Sequence, residues 1–366
     1  MTNTIIPAAP SFCPNPKCPH HLNCPRGHRF VRDGWYRRDA EPTRIQRYRC
    51  SHCRRRFSQQ TFRVSYWLRR PDLPGLIFRR LLGCSCYRQI ARELGVSPST
   101  VMNQAARLGR HGLLFHQRQR PCGPPVEPLV LDGFVSFEYS QYHPTEFHVA
   151  IGAHSHFVYG FTDSELRRSG RMTPGQKRRR AWLERTWGRP DPRSREREVA
   201  ALLRIVARAA PEFELWTDEH TDYPRALRRL GPVRVRHRVT SSRAARTARN
   251  PLFAVNLWDL LVRHSGANHK RETIAFSKRR QSAAERMVVL MVWRNWVKSF
   301  SERRRDGSPA MRLGLATRRW TIEDLLDERL FPSRIELPER WAEYYWRRIR
   351  TRRIPNATEH RRRYAA

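Results

Sequence analysis

The sequence predicts a multidomain protein: a small cysteine-containing module, an all-α module, a larger α/β domain with a mixed sheet, and a basic helical tail. Three observations lead to this expectation. The chain has 366 residues, more than one hydrophobic core usually spans. All eight cysteines precede residue 123. Beyond Pro128, strand-like apolar runs alternate with long basic helices, which is typical of an α/β domain.

The charge of the chain makes a polyanion the expected partner, with nucleic acid first. The formal net charge is +39 and the isoelectric point is about 11.4. Only five of the 72 basic residues are lysines, so part of this charge could reflect a GC-rich genome. The longest uninterrupted apolar run, Met287 to Trp293, is far shorter than a bilayer-spanning helix, so no membrane partner is expected.

The first residues, MTNTIIPAAPSF, lack the basic region and the long apolar run of a secretory signal peptide. We therefore expect a reducing cytoplasm, where cysteine thiols bind metal ions rather than form disulfides.

Two cysteine pairs predict a zinc ribbon over residues 10–60. Cys13 and Cys18 lie in CPNPKC, and Cys50 and Cys53 lie in CSHC. Two thiolate pairs on short knuckles can complete a tetrahedral zinc site, and a structural Zn²⁺ ion folds a segment too small to hold itself. The first pair is spaced more widely than usual, and rival ligands lie nearby at Cys24, His20, His21 and His28.

The segment CYRQIARELGVSPSTVMNQAARLG predicts a helix-turn-helix module over residues 70–117. Apolar residues at helical spacing give two helices an inner face, and Gly95 makes the turn between them. The alternative is an ordinary helical hairpin. In a DNA-binding unit the second helix lies in the major groove. The candidate contacts to bases or phosphates are then Ser97, Ser99, Thr100, Asn103, Gln104 and Arg107.

Residues 127–302 predict an α/β domain with the element order β-β-β-α-β-α-β-α. A basic insertion at about 167–197 carries Trp182 and Trp187 among its arginines. It is either a grip on DNA or a solvated loop. From residue 303 to 366, short helical pieces alternate with arginine clusters, which indicates a basic C-terminal appendage.

Two aspartates end apolar strands of the α/β domain. Asp132 follows VL in the first strand, and Asp218 follows LWT in the fourth. A strand-borne acid beside a core is costly unless a metal ion or a cation pairs with it. If the first and fourth strands are neighbours, the two carboxylates lie side by side and can hold Mg²⁺. The alternative is that each is a cap or turn residue.

Several of these features together resemble transposases of the insertion-sequence-one type, which have a ribonuclease-H-like DDE domain. The shared features are the zinc ribbon, the helix-turn-helix, the LD and TDEHTDY strands, and the closing RHSGANHKRETIAFSKRR. The likeness covers roughly residues 13 to 300. Its best anchor is RETIAFSKR, which is similar to the family's Arg-Lys-Thr-x-x-Phe-Ser segment.

The resemblance implies an enzyme that binds the terminal inverted repeats of a transposon, then cleaves and joins DNA strands at a Mg²⁺ or Mn²⁺ site. Its partners would be the double-stranded DNA of the transposon ends and of the target. A dimer or larger assembly on DNA and a prokaryotic, cytoplasmic, nucleoid-associated location are expected. The first two family acids fall on Asp132 and Asp218.

The third family acid, a glutamate on a helix, has no direct match. Counting back from Thr273 places Asn256 at that position, with Asp259 where the family tends to have asparagine. Residues three apart share one helix face, so either Asp259 or the neutral oxygen of Asn256 completes the site, or the site is lost. Glu138 and Glu219 are reserve ligands, and Glu219 is expected to face away from Asp218.

Two other functional classes remain open at this stage. One is a catalytically inactive, domesticated regulator that binds specific DNA, which the missing glutamate at Asn256 favours. The other is a structural nucleic-acid-binding protein, including one that binds RNA, for which the basic tail would be the main surface.

Overall fold

The computed structural model describes residues 10–208, 210–270 and 273–351. Near the N-terminus, β1 (Val31–Arg37), β2 (Arg44–Arg49) and β3 (Arg56–Ser58) form an antiparallel sheet in that order. Tyr48 and Phe57 pack with buried cysteines to make a small separate core. So small an apolar cluster gives little burial energy, which is why this module needs a further constraint.

Three helices follow: α1 (Leu73–Leu82), α2 (Tyr87–Glu93) and α3 (Pro98–Gln119). The turn between α2 and α3 contains Gly95 at φ +62°, a conformation that glycine adopts at little cost. The hydroxyl of Ser97 then caps α3 by accepting a hydrogen bond from the Thr100 amide at 3.2 Å. This local chemistry produces the two helices and the turn that the sequence predicts.

The α/β domain is built on a five-stranded mixed sheet with the order β6-β5-β4-β7-β8. The first three strands pair antiparallel, whereas β7 runs parallel to both β4 and β8. The first and fourth strands of this domain, β4 and β7, are therefore neighbours, as a shared site for the two aspartates requires. The strands are β4 (Leu129–Phe137), β5 (Pro144–Gly152), β6 (Val158–Glu165), β7 (Glu212–Thr217) and β8 (Arg234–Val239).

Five α-helices accompany this sheet; three stand in the predicted order, one lies inside the basic insertion, and one follows the end of the predicted order. They are α4 (Pro174–Trp187), α5 (Ser194–Val206), α6 (Asp222–Leu227), α7 (Phe253–Ser265) and α8 (Arg280–Trp296). Helix α5 packs on β5 and β6, and α7 packs on β4 and β5. These helices cover the central strands, which explains why β5 is buried along nearly its whole length.

The predicted helix-turn-helix module shares a hydrophobic core with the α/β domain. Helix α3 packs along α8, and its apolar residues join the hydrophobic core of the sheet. Gly109 of α3 lies against the backbone of Glu285 in α8, where an added Cβ would stand 2.7 Å from the carbonyl oxygen. The two helices thus approach more closely than any larger residue at position 109 allows.

Residues 303–351, the described part of the predicted C-terminal appendage, pack against the rest of the chain. This segment contains α9 (Pro309–Arg312), α10 (Ile322–Leu326) and α11 (Glu339–Trp346). Trp341 is fully buried, and its indole nitrogen donates to the Phe161 carbonyl at 3.0 Å. Phe331 packs on Phe12 and Phe62 of the N-terminal module. Residues 352–366 of the predicted appendage lie outside the described residues.

The basic insertion forms a helix rather than a loop. Helix α4 buries none of its residues, and Trp182 and Trp187 are 44% and 41% exposed. Among the residues that the structure describes, no helix is both long and apolar enough to cross a bilayer.

We predict that Gly109→Ala lowers the free energy of unfolding by about 1–3 kcal/mol, because the added methyl group overpacks the contact between α3 and α8. Thermal unfolding of the full chain measures this loss. The control is Gly75→Ala in α1, where only the flexible end of Arg79 is near; it should leave stability unchanged or raise it. Equal melting temperatures for Gly109→Ala and the wild type would contradict the close helix contact.

Candidate active site

The hydrogen-bonding register of two parallel strands places Asp132 beside Asp218. Val130 of β4 pairs with Trp216 of β7. Asp132 lies two residues after Val130, and Asp218 lies two residues after Trp216. Side chains alternate between the two faces along a strand. Two paired residues face the same side of the sheet, and so do the residues that lie two positions after them. The two acids therefore meet at the end of β7.

Helix α7 brings a third acid, Asp259, to this face of the sheet. The guanidinium of Arg263, one turn after Asp259, lies 4.5 Å from the ring centroid of Phe134, which faces the same side of β4 as Asp132. The charges of Asp259 and Asp132 interact. Asn256, the position expected from the family pattern, is half-buried one turn earlier on the same helix.

The electrostatics of the site disfavour ionisation of Asp132 and Asp259. The pKa of Asp132 is raised to about 6: burial is the largest cause, the Gly133 amide opposes it, and the charge of Asp218 adds to it. Burial also raises the pKa of Asp259 to about 8, and the charge of Asp132 adds to this effect. Both shifts have the direction expected for acids crowded together in a low-dielectric environment.

No lysine, arginine or histidine in the described ranges forms an ion pair with any of the three acids. Asp163, which is fully buried in β6, contrasts with them: it pairs with Arg280 at 3.1 Å. It also accepts a hydrogen bond from Tyr344 at 2.6 Å. Asp163 is thus neutralised by the protein, whereas Asp132 and Asp259 are half-buried and form no ion pair within the described ranges. Such a site has a deficit of positive charge that a bound cation would offset.

Protein hydrogen bonds occupy one oxygen of each strand-end aspartate. Oδ1 of Asp132 accepts from the Gly133 amide at 2.7 Å and from the Tyr223 hydroxyl at 3.4 Å. Oδ1 of Asp218 accepts from the His220 amide at 2.9 Å. The sequence analysis missed Tyr223; its place in TDEHTDY, shortly after Asp218, was the available signal.

The carboxylate oxygens are ligands that Mg²⁺ and Mn²⁺ accept, but they do not form a ready-made cage. Among the described residues, the groups of three or more ligand atoms within 4.8 Å of one another are both in the N-terminal module, and neither contains an aspartate. One ion held by all three acids therefore requires side-chain movement.

The two reserve ligands are both engaged elsewhere. Glu219 accepts hydrogen bonds from the amide and hydroxyl of Ser242 at 2.6 and 2.7 Å, so it turns away from Asp218 as expected. The buried carboxylate of Glu138 accepts from the Thr351 hydroxyl.

The four predicted zinc ligands come together in the N-terminal module. The sulfurs of Cys13, Cys18, Cys50 and Cys53 lie within 4.8 Å of one another, and none is in a disulfide. Sγ of Cys13 is 3.6 Å from Sγ of Cys53, close to the edge of about 3.8 Å in a tetrahedron with zinc–sulfur bonds of about 2.3 Å. This cluster fits a structural Zn²⁺ ion.

The six predicted DNA contacts divide into two groups. Ser97 and Ser99 are exposed at the start of α3, and Thr100 and Asn103 are half-buried. Gln104 is only 7% exposed, and the Arg107 guanidinium donates to the carbonyl oxygens of Val64 and Tyr66 at 2.9 and 3.0 Å. Gln104 is therefore buried, and the Arg107 guanidinium is held by the segment that joins the ribbon to α1.

Comparisons with known proteins add little to this geometry. No protein-family profile and no curated protein sequence matches the chain. Among solved structures, the chain is similar to one from a simian T-cell lymphotropic virus intasome in complex with PP2A regulatory subunit B56 gamma. The identity is 11%, the match covers 63% of this chain and 68% of that one, and the TM-score is 0.23. So low a score does not carry the fold or function of that complex over to this chain.

We predict that Asp259→Asn stabilises the metal-free protein, and that the gain depends on pH. Because the folded-state pKa is raised from 3.8 to about 8, burying Asp259 costs nothing below pH 4. The cost grows between pH 4 and 8 and is constant above that range. Thermal unfolding with EDTA should show a gain of about 1–3 kcal/mol at pH 8.5, and a smaller gain at pH 5.

The matched control for this stability measurement is Asn256→Ala on the same helix. It removes no titratable group, so its effect should be the same at both pH values. If the effect of Asp259→Asn were also independent of pH, Asp259 would ionise normally and the site would lack the charge deficit described above.

Proposed function

We propose that this protein is a DNA transposase that binds terminal inverted repeats and catalyses metal-dependent DNA strand cleavage and strand transfer. The observation that carries the proposal is the convergence of Asp132 with Asp218 and Asp259 at one face of the mixed sheet, where none of the three forms an ion pair within the described ranges. Buried acids of this kind raise the energy of the empty protein, and a divalent cation would relieve that cost.

Asp132 and Asp218 would hold the divalent ions, with Asp259 as the third ligand. Mg²⁺ or Mn²⁺ in such a site activates a water or hydroxyl and stabilises the leaving oxygen of an in-line displacement at phosphorus. The Tyr223 hydroxyl holds Oδ1 of Asp132 and so orients the carboxylate. Exposed Arg246 lies near enough to lower the pKa of both Asp132 and Asp259, a position suited to a DNA phosphate.

The DNA-binding surfaces would be the zinc ribbon, the exposed start of α3, and helix α4. Ser97, Ser99, Thr100 and Asn103 remain candidate contacts at α3. The arginines of α4 can bind phosphates while Trp182 and Trp187 stack on exposed bases. The partner is then the double-stranded DNA of transposon ends and target, bound by a dimer or larger assembly in the prokaryotic cytoplasm at the nucleoid.

A second candidate function is a catalytically inactive DNA-binding regulator. The specific observation that favours it is Asn256 at the position of the third family acid. The spread of the acidic oxygens, which in the described part of the chain form no three-ligand group within 4.8 Å, points the same way. The two functions predict the same DNA binding and differ only in chemistry.

We predict that the purified protein nicks labelled duplexes made from the DNA that flanks its own coding sequence, in the presence of Mg²⁺ or Mn²⁺. Asp132→Asn and Asp218→Asn should each reduce nicking by about 10²–10³-fold, because each removes a metal ligand worth several kcal/mol in the transition state. Asp259→Asn and Asn256→Ala, compared side by side, identify the third ligand as the one whose loss abolishes nicking.

The control is Asp306→Asn, which removes an exposed carboxylate bound to Arg304 and Arg312 and should leave nicking unchanged. DNA binding by every variant is measured in parallel by a gel-shift assay. Specific binding without nicking by the wild type, with either metal ion, would reject the transposase and support the regulator.

A further inference from the structure

A second cluster of metal ligands lies next to the four cysteines. One ligand atom from each of His20, His28 and Cys50 lies within 4.8 Å of the other two. Cys50 belongs to both clusters, so the two groups share one sulfur. The two histidines are half-buried and come from the segment that follows Cys18.

The spacing of the two imidazoles suits a common metal ion. Nδ1 of His20 is 3.3 Å from Nε2 of His28. Two nitrogen ligands on a tetrahedral zinc ion, with bonds of about 2.05 Å, stand about 3.4 Å apart. A hydrogen bond between the rings would also explain this distance, but it would not explain why a thiol approaches both of them.

We infer that this module binds two zinc ions, the second held by His20, His28 and a Cys50 thiolate that bridges to the four-cysteine site. The charges support this arrangement. Four thiolates around one Zn²⁺ leave a net charge of −2, and a second Zn²⁺ with two neutral imidazoles brings the cluster to zero. Zinc takes four ligands, and two further side chains could supply the fourth. The His52 ring centroid is 4.8 Å from that of His20, and Cys24 lies near enough to Cys50 for their charges to interact.

The second ion has a structural role in holding the segment between the first cysteine pair and β1. From residue 22 to residue 30 this segment contains no helix or strand. Its backbone hydrogen bonds, such as that from the His28 amide to the Pro25 carbonyl at 3.1 Å, are local. A metal bridge from His20 and His28 to Cys50 joins it to the CSHC knuckle and reduces the entropy of the unfolded loop.

The metal content of the purified full chain tests this inference. Mass spectrometry of metals after gel filtration should find two zinc ions per chain in the wild type and one in the double variant His20→Ala/His28→Ala. The matched control His154→Ala, an exposed histidine near the end of β5, should retain two. The double variant Asp132→Asn/Asp218→Asn should also retain two, which excludes zinc bound at the acidic site.

Cobalt substitution provides a readout if the histidine variant fails to fold. In the wild type, a second equivalent of Co²⁺ should increase the thiolate-to-cobalt charge-transfer band beyond its value at one equivalent, because the bridging thiolate contacts both ions. One zinc ion per chain in the wild type would overturn the inference. Two zinc ions in the histidine variant, or a charge-transfer band that stops growing after one equivalent of cobalt, would also overturn it.

Discussion

The parallel pairing of β4 with β7 is the constraint on which the candidate active site depends. One register, Val130 opposite Trp216, brings two acids distant in sequence to adjacent strands and to the same face. The pairing also fixes the path of the chain afterwards: β7 ends at Thr217, and the turn that follows brings Tyr223 back to Asp132. A slip of one residue would send one aspartate to the opposite face and dissolve the cluster.

Burial alone does not distinguish a functional acid from a structural one in this fold. Asp163 is more deeply buried than Asp132, yet Arg280 and Arg340 form ion pairs with it and the Tyr344 hydroxyl donates a hydrogen bond to it. The contacts from Arg340 and Tyr344 attach the C-terminal segment to β6. Asp259 forms no ion pair in the described part of the chain, and burial raises its pKa to about 8 although the charges of Arg263 and Arg246 oppose the shift. The informative feature is therefore the missing ion pair, which is a property of packing and can be recognised only in three dimensions.

The sequence predicted features that depend on local spacing or on strand order. The knuckle spacing of the cysteines identified the four sulfurs that meet, and the order of strands and helices placed Asp132 near Asp218. Long-range packing was not predictable in the same way. The arginine clusters of residues 303–366 suggested a basic appendage, although the Trp341 indole is fully buried. Arg107 looked free to bind DNA because nothing in its helix reveals that Val64 and Tyr66 cover it.

Helix α3 and the strand that carries Asp132 belong to one hydrophobic core. Helix α3 has 22 residues and is about 33 Å long, and only its beginning is free of the core. Its later part packs on α8, which shares one hydrophobic core with the sheet that carries Asp132. Under the proposed function, DNA held at the start of α3 would be positioned relative to the acids by packed helices rather than by a linker. A scissile phosphate would then reach the acids through the path or bending of the DNA, or from DNA held by another copy of the chain.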